Sequence, residues 1–126
     1  MSFLKVGTCF QFQDRLDDDH LYVVISDPHQ SDVILVGVTT KRRFTDTACE
    51  LAVGDHPFIQ HDSCISYEYA EIVAVATIEA KLAAGDLRPG EDFLKSVILR
   101  IWEGAERTRN LSNRCTEILR QQSLIA

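Results

Sequence analysis

Two β-branched apolar runs separated by a short polar link constrain this chain more than any other feature. Residues 21–26 read LYVVIS and residues 32–40 read DVILVGVTT. Between them lie Asp27-Pro28, a turn signal because proline cannot donate to a ladder, and His29-Gln30-Ser31. Neither run alternates cleanly between apolar and polar positions, so each is expected to be buried on both faces. Together they predict a hairpin of buried strands.

The flanking segments extend the sheet. Residues 6–12 (VGTCFQF) read as a first strand that runs into the acidic stretch 14–20. Residues 41–46 are a polar loop, 49–53 a short strand, and Gly54-Asp55-His56-Pro57 a turn. Residues 64–67 and 71–75 are then the strands that close a small barrel. The alanine-rich stretch 70–84 is divided into strand up to Ala76 and helix over 77–84, with Gly85 as its left-handed stop.

The last third is helical. Pro89-Gly90-Glu91-Asp92 is expected to open a helix, its carboxylates complementing the dipole. Phe93, Leu94, Val97, Ile98, Ile101, Trp102 and Ala105 follow on one broad apolar face. Ser112 or Asn113 caps a final helix that turns Cys115, Ile118 and Leu119 inward. Strands followed by helices predict an α+β fold. At 126 residues, the chain is expected to form one domain, 1–76 barrel and 77–126 helical.

Charge limits the function. Nineteen acidic against thirteen basic side chains give a net charge of −6, which disfavours non-specific binding to phosphate polymers. The positive charge is local: Lys41-Arg42-Arg43 carries +3 and residues 96–126 a net +2. An anion site is therefore expected near one of these two. Arg100, Arg107, Arg109, Arg114 and Arg120, interspersed with glutamates, are read as decorating solvent faces. Cys9, Cys49, Cys64 and Cys115 are far apart among apolar neighbours and read as buried free thiols. The start lacks the long apolar core of a signal peptide, and the longest apolar stretches fall far below the roughly 20 residues of a membrane span. A cytoplasmic location is expected.

Functional groups crowd residues 54–69, GDHPFIQHDSCISYEY. His56 and His61 can exchange protons near neutral pH, or can simply hydrogen-bond the backbone at turns. Cys49, His56, His61 and Cys64 hold the atoms of a zinc site, but their spacing fits no usual finger, and no metal is expected. Ser63, His61 and Asp55 hold the atoms of a hydrolase triad without a nucleophile elbow. Thr39-Thr40-Lys41-Arg42-Arg43 places two hydroxyls at a strand end and three cations after it. That arrangement can hold a phosphate, or can be a solvated loop that offsets the acidic stretch.

The order of these segments resembles the MazF/PemK toxins. The resemblance rests on residues 7–12, V-V-I-S at 23–26, the strand ending in Thr39-Thr40, and D-S-C-I at 62–65, and covers roughly residues 5–80. It implies a small SH3-like antiparallel β-barrel followed by C-terminal helices. It also implies a metal-independent, cofactor-free endoribonuclease of a bacterial toxin–antitoxin system, cutting single-stranded RNA, forming a homodimer and bound by an antitoxin protein. The family's Arg-Pro pair before the V-V-I-S-like strand, whose arginine takes part in catalysis, is here His20-Leu21. Either His20 takes over proton transfer, or the chain binds RNA or a protein partner without cutting, the partner engaging Trp102 and its helix face. The resemblance thus nominates His20, Thr40 and His61 as catalytic, with Thr39, Lys41, Arg42, Arg43 and Ser63 binding the RNA phosphates.

Overall fold

The computed structural model describes residues 4–13 and 19–126; most of the acidic stretch after the first strand lies outside them. Five strands precede the first long break in the sheet pattern: β1 (Cys9–Gln13), β2 (Asp19–Val24), β3 (Asp32–Thr40), β4 (Glu50–Leu51) and β5 (Ser63–Ala74). Helix α1 (Val75–Ala83) and strand β6 (Arg88–Pro89) follow, then α2 (Lys95–Arg107) and α3 (Asn113–Gln121). The strands form one antiparallel sheet in the order β4-β5-β3-β2-β1-β6, curled into a half-barrel, so the fold is α+β.

The central hairpin explains its own sequence. Gln30 and Ser31 both take positive φ, 51° and 70°, the pair of values a tight hairpin turn needs. His29 and Asp32 exchange backbone hydrogen bonds across it, at 2.7 and 2.9 Å. Where β2 stops, the Ser26 hydroxyl accepts from the Ile34 amide at 2.9 Å and continues the ladder. Both faces of the hairpin are covered. Leu21, Val23, Ile34 and Val36 belong to the large core beneath α2 and α3, while Val24 and Val33 join Phe10, Val75 and Ile78 on the α1 side. Two-sided burial is why neither run alternates.

Four expectations are corrected. Residues 64–67 and 71–74 belong to a single strand, β5, interrupted by a bulge: Gly37 pairs with Ser66 and Leu35 with Glu71. Extra residues on one strand sharpen the local bend, which suits a curled sheet. Residues 88–93 do not open a helix. Arg88 and Pro89 pair with Gln11 and Phe10, and the Gly90 and Phe93 amides donate to the Cys9 and Gly7 carbonyls at 3.0 and 2.9 Å. Proline is tolerated there because β6 is an edge. Helix α2 therefore starts at Lys95 with no acidic residue in its first turn. Helix α1 starts at Val75, two residues early, and ends before Gly85, which has φ 81° as expected. Trp102 is not an exposed face: it is 9% exposed at the edge of a hollow and its indole N–H donates to the Ile25 carbonyl at 2.8 Å.

Helix α2 lies hard against the sheet. The buried Tyr67 hydroxyl donates to the Ile101 carbonyl at 2.6 Å, and a Cβ on Gly104 would lie within 2.8 Å of the Cys49 Cβ and 2.9 Å of the Ala48 carbonyl. Burial drives the Tyr67 phenol's pKa upward and pushes the Cys49 thiol up to about 11, so both stay protonated as packing groups.

Arginines fasten the same helix to the loops, correcting the expectation that Arg100 and Arg107 only decorate solvent faces. Arg100 donates to the Asp55 carboxylate at 2.9 Å and to the Glu50 carbonyl at 2.7 Å; Arg107 donates to the Ala48 carbonyl at 2.7 Å. Asp46 accepts from the Ala48 amide at 2.9 Å, from the Thr108 hydroxyl and from Asn110 Nδ2, pinning the 41–49 loop to the α2–α3 connection. Partial burial pulls the Asp46 and Asp55 carboxyls upward, but these hydrogen bonds win and hold both below the usual range. Ser112 caps α3, accepting from the Cys115 amide at 3.2 Å.

Gly104→Ala is expected to lower stability to urea by about 1–3 kcal/mol through overpacking, even though alanine is worth up to about 1 kcal/mol more than glycine in a helix. A gain in stability would mean that α2 is free to move off the sheet. The lowered Asp46 and Asp55 carboxyls stabilise the fold above the ordinary carboxylate pKa of about 3.9, and that contribution is lost as pH falls through their lower folded values. The urea midpoint is thus expected to drop below about pH 4. The drop should be shallower in Asp55→Asn, which no longer has that proton to take up.

Candidate functional site

A hollow of about 370 Å³ opens at the end of the half-barrel, at the C-terminus of β3. Val38 and Ile65, and beyond them Thr40 and Ser63, are register partners on β3 and β5, so Thr40 and Ser63 continue the core-facing side past the last apolar layer. The Lys41 amide donates to the Asp62 carbonyl at 3.0 Å, which prolongs the pairing and brings the turn before β5 alongside Thr40. Gln11 enters from β1, and Phe58, Ile59, Gln60 and His61 supply the opposite wall. Thr39 borders the same hollow.

The chemical centre is a hydroxyl–imidazole pair. Thr40 Oγ1 and His61 Nε2 are 2.8 Å apart, joining residues twenty-one positions apart in the chain. If the hydroxyl donates, Nε2 is occupied as an acceptor and Nδ1 carries the ring proton; if Nε2–H donates, Nδ1 is free as a base, and once protonated there the imidazolium can give the proton back. The pair can therefore serve as acid or as base. Ser63 donates to the His61 carbonyl at 2.9 Å and so holds the turn that carries the imidazole.

The other nominated residues lie elsewhere. His20 pairs with Phe12 and stacks on its ring at 5.2 Å; Phe12 also stacks on Tyr22 at 5.4 Å. On β1 it is Gln11 that faces the hollow, and on β2 Leu21 is the core-facing residue, so alternation turns His20 to the opposite side of the sheet. His20 does not join Thr40 and His61. Lys41 pairs with Glu50 at 2.5 Å, and that carboxylate raises its pKa. Arg42 and Arg43 are exposed on the following loop and do not line the hollow. The anticipated convergence of cations on the hydroxyls is thus not formed: hydroxyl and imidazole meet, and the cations stand outside.

His56 is a structural residue. Its Nδ1 accepts from the Phe58 amide at 3.1 Å, which leaves Nε2–H to donate to the Glu91 carbonyl at 2.6 Å, and its ring stacks on Phe93 at 4.5 Å. Cys9 donates to the same carbonyl at 2.8 Å, and burial, with Asp92 nearby, pushes its thiol up to about 11. Asp55 is committed to the Ala52 amide and Arg100, and Ser63 to a carbonyl, so Ser63, His61 and Asp55 form no relay. Among the described residues no three histidine, cysteine or acidic side chains are grouped to hold a metal ion. No helix among them is long and apolar enough to cross a membrane.

Sequence reasoning passed over Phe44. It lies next to the arginines, is 91% exposed, and has the Arg43 guanidinium 5.4 Å from its ring centre. A large apolar side chain inside an otherwise polar loop was the available signal. No protein-family model matches this chain, and no curated protein or solved structure shows significant similarity to it.

Proposed function

We propose that the chain is a metal-independent endoribonuclease of the toxin type, built on an SH3-like barrel and acting on single-stranded RNA at the Thr40–His61 hollow. The observation that carries this reading is the 2.8 Å hydroxyl–imidazole pair in an open, polar cavity. The resemblance to the MazF/PemK toxins and the curled antiparallel sheet support the choice of reaction. A homodimer and a neutralising antitoxin protein belong to the same proposal.

RNA carries its own nucleophile, so the protein must only move protons and stabilise charge. His61 takes the proton of a 2′-hydroxyl as that oxygen attacks the adjacent phosphorus. The phosphorus–O5′ bond breaks, the imidazolium returns the proton to O5′, and a 2′,3′-cyclic phosphate and a 5′-hydroxyl result. Thr40 holds the imidazole and hydrogen-bonds a phosphate oxygen. The imidazolium offsets charge gathering on the non-bridging oxygens, while Arg42 and Arg43, exposed on the loop outside the hollow, attract the strand.

One observation favours a second reading, a binding module that does not cut. Among the described residues His61 is the only ionisable side chain lining the hollow, whereas phosphoryl chemistry gains most from a cation fixed in place.

Purified chain incubated with mixed-sequence single-stranded RNA is expected to produce fragments with cyclic-phosphate ends, in the presence of a chelator as in its absence. His61→Ala should lower the rate by about 10²–10⁴ with an unchanged thermal midpoint, and His20→Ala should leave it near wild type. Cleavage that persists in His61→Ala, or that a chelator abolishes, overturns the mechanism. Intact RNA throughout selects the binding module.

A further inference from the structure

We propose that Arg42, Arg43 and Phe44 form a platform for unpaired nucleotides, the Phe44 ring stacking one base and the two guanidinium groups holding the flanking phosphates of a single strand. The proposal deepens the RNA reading above and rests on it for the identity of the strand.

Three observations converge on this loop. Phe44 is the most exposed large apolar side chain among the described residues, at 91%. Burying such a ring under a flat partner removes apolar surface from water, and every nucleobase has a π-face to offer. Arg43 lies over one face of the ring at 5.4 Å, which leaves the other face to solvent.

The charge is available. Lys41 is neutralised by Glu50, but among the described residues no carboxylate lies within ion-pair distance of Arg42 or Arg43. In a chain of net charge −6, two adjacent guanidinium groups with no ion-pair partner among the described residues make a local attractor for phosphate.

The loop is also held in place. The Thr45 hydroxyl donates to the Arg42 carbonyl at 2.6 Å and accepts from the Arg42 amide, while Asp46 anchors the far side to Thr108 and Asn110. An exposed aromatic on a braced loop loses little further conformational freedom when a base stacks on it. The platform begins two residues after Thr40, which makes the loop the immediate continuation of the strand that carries the hollow's hydroxyl. A paired base keeps its faces within the duplex stack, so the platform selects single strands.

The test is a fluorescence-anisotropy titration of the full chain at low salt. The probe is a labelled single strand of mixed-sequence DNA, which lacks the 2′-hydroxyl and reports binding without cleavage. Wild type is expected to bind the single strand more tightly than the matching duplex. Phe44→Ala should weaken binding roughly 5- to 150-fold, the loss of one stacked base, and Phe44→Trp should restore it. Arg42→Gln and Arg43→Gln should each flatten the dependence of log affinity on log salt by about 0.7. No binding by wild type, equal affinity for the duplex, undiminished binding by Phe44→Ala, or stronger capture of polyglutamate than of the strand each overturns the platform. Binding that depends on Phe44, alongside an absence of RNA cleavage, upholds the platform and discards the nuclease reading.

Discussion

The approach of α2 to the concave side of the sheet is the contact on which the rest of the structure depends. A half-barrel leaves one side open, and burial requires something to fill it. Helix α2 does so at close range because Gly104 offers no side chain to Tyr67 and Cys49, and because the Tyr67 hydroxyl finds a carbonyl partner on the helix itself. Removing either accommodation would leave a clash or an unpaired polar atom beneath the helix. The arginines then act at the helix margin. Arg100 and Arg107 satisfy the carbonyls of Glu50 on β4 and of Ala48 just before it, which an isolated sheet would leave to water. The middle of the chain, which has little regular structure, is thereby held by a helix made later in the sequence.

That restraint reaches the hollow. Residues 58–61 form its outer wall, and the course of the segment leading through them is set by Asp55 on Arg100, by His56 on the Glu91 carbonyl and by Ile59 in the core. His61 arrives opposite Thr40 as the end of this braced segment. The two histidines of one short stretch therefore have opposite roles. Both nitrogens of His56 are occupied by backbone groups, while His61 presents its ring to solvent and to a hydroxyl.

What the sequence made legible was the part with local causes. The bounds of β3 follow its β-branched run, Gly85 marks the end of α1, and Ser112 caps α3, each through chemistry confined to a few neighbours. Strand β6 was hidden because two residues pairing through the backbone leave no side-chain pattern. The late start of α2 was hidden for the same reason: Glu91 and Asp92 look like a helix entrance, yet their segment is tied along β1. The meeting of Thr40 and His61 depends on the register of β3 with β5. The exclusion of His20 depends on which face alternation gives to Leu21. A sequence shows the side chains in both cases, but pairing decides the outcome.

The burial of all four thiols has a consequence of its own. Cys9 and Cys49 sit on the seam between sheet and helices, with their protons held firmly, and Cys115 lies on the inner face of α3. A sulfhydryl reagent can reach them only when that seam parts. The pace at which Cys9, Cys49 and Cys115 are alkylated under native conditions therefore measures how often the helices lift away, and the chain carries its own gauge of breathing in three atoms of sulfur.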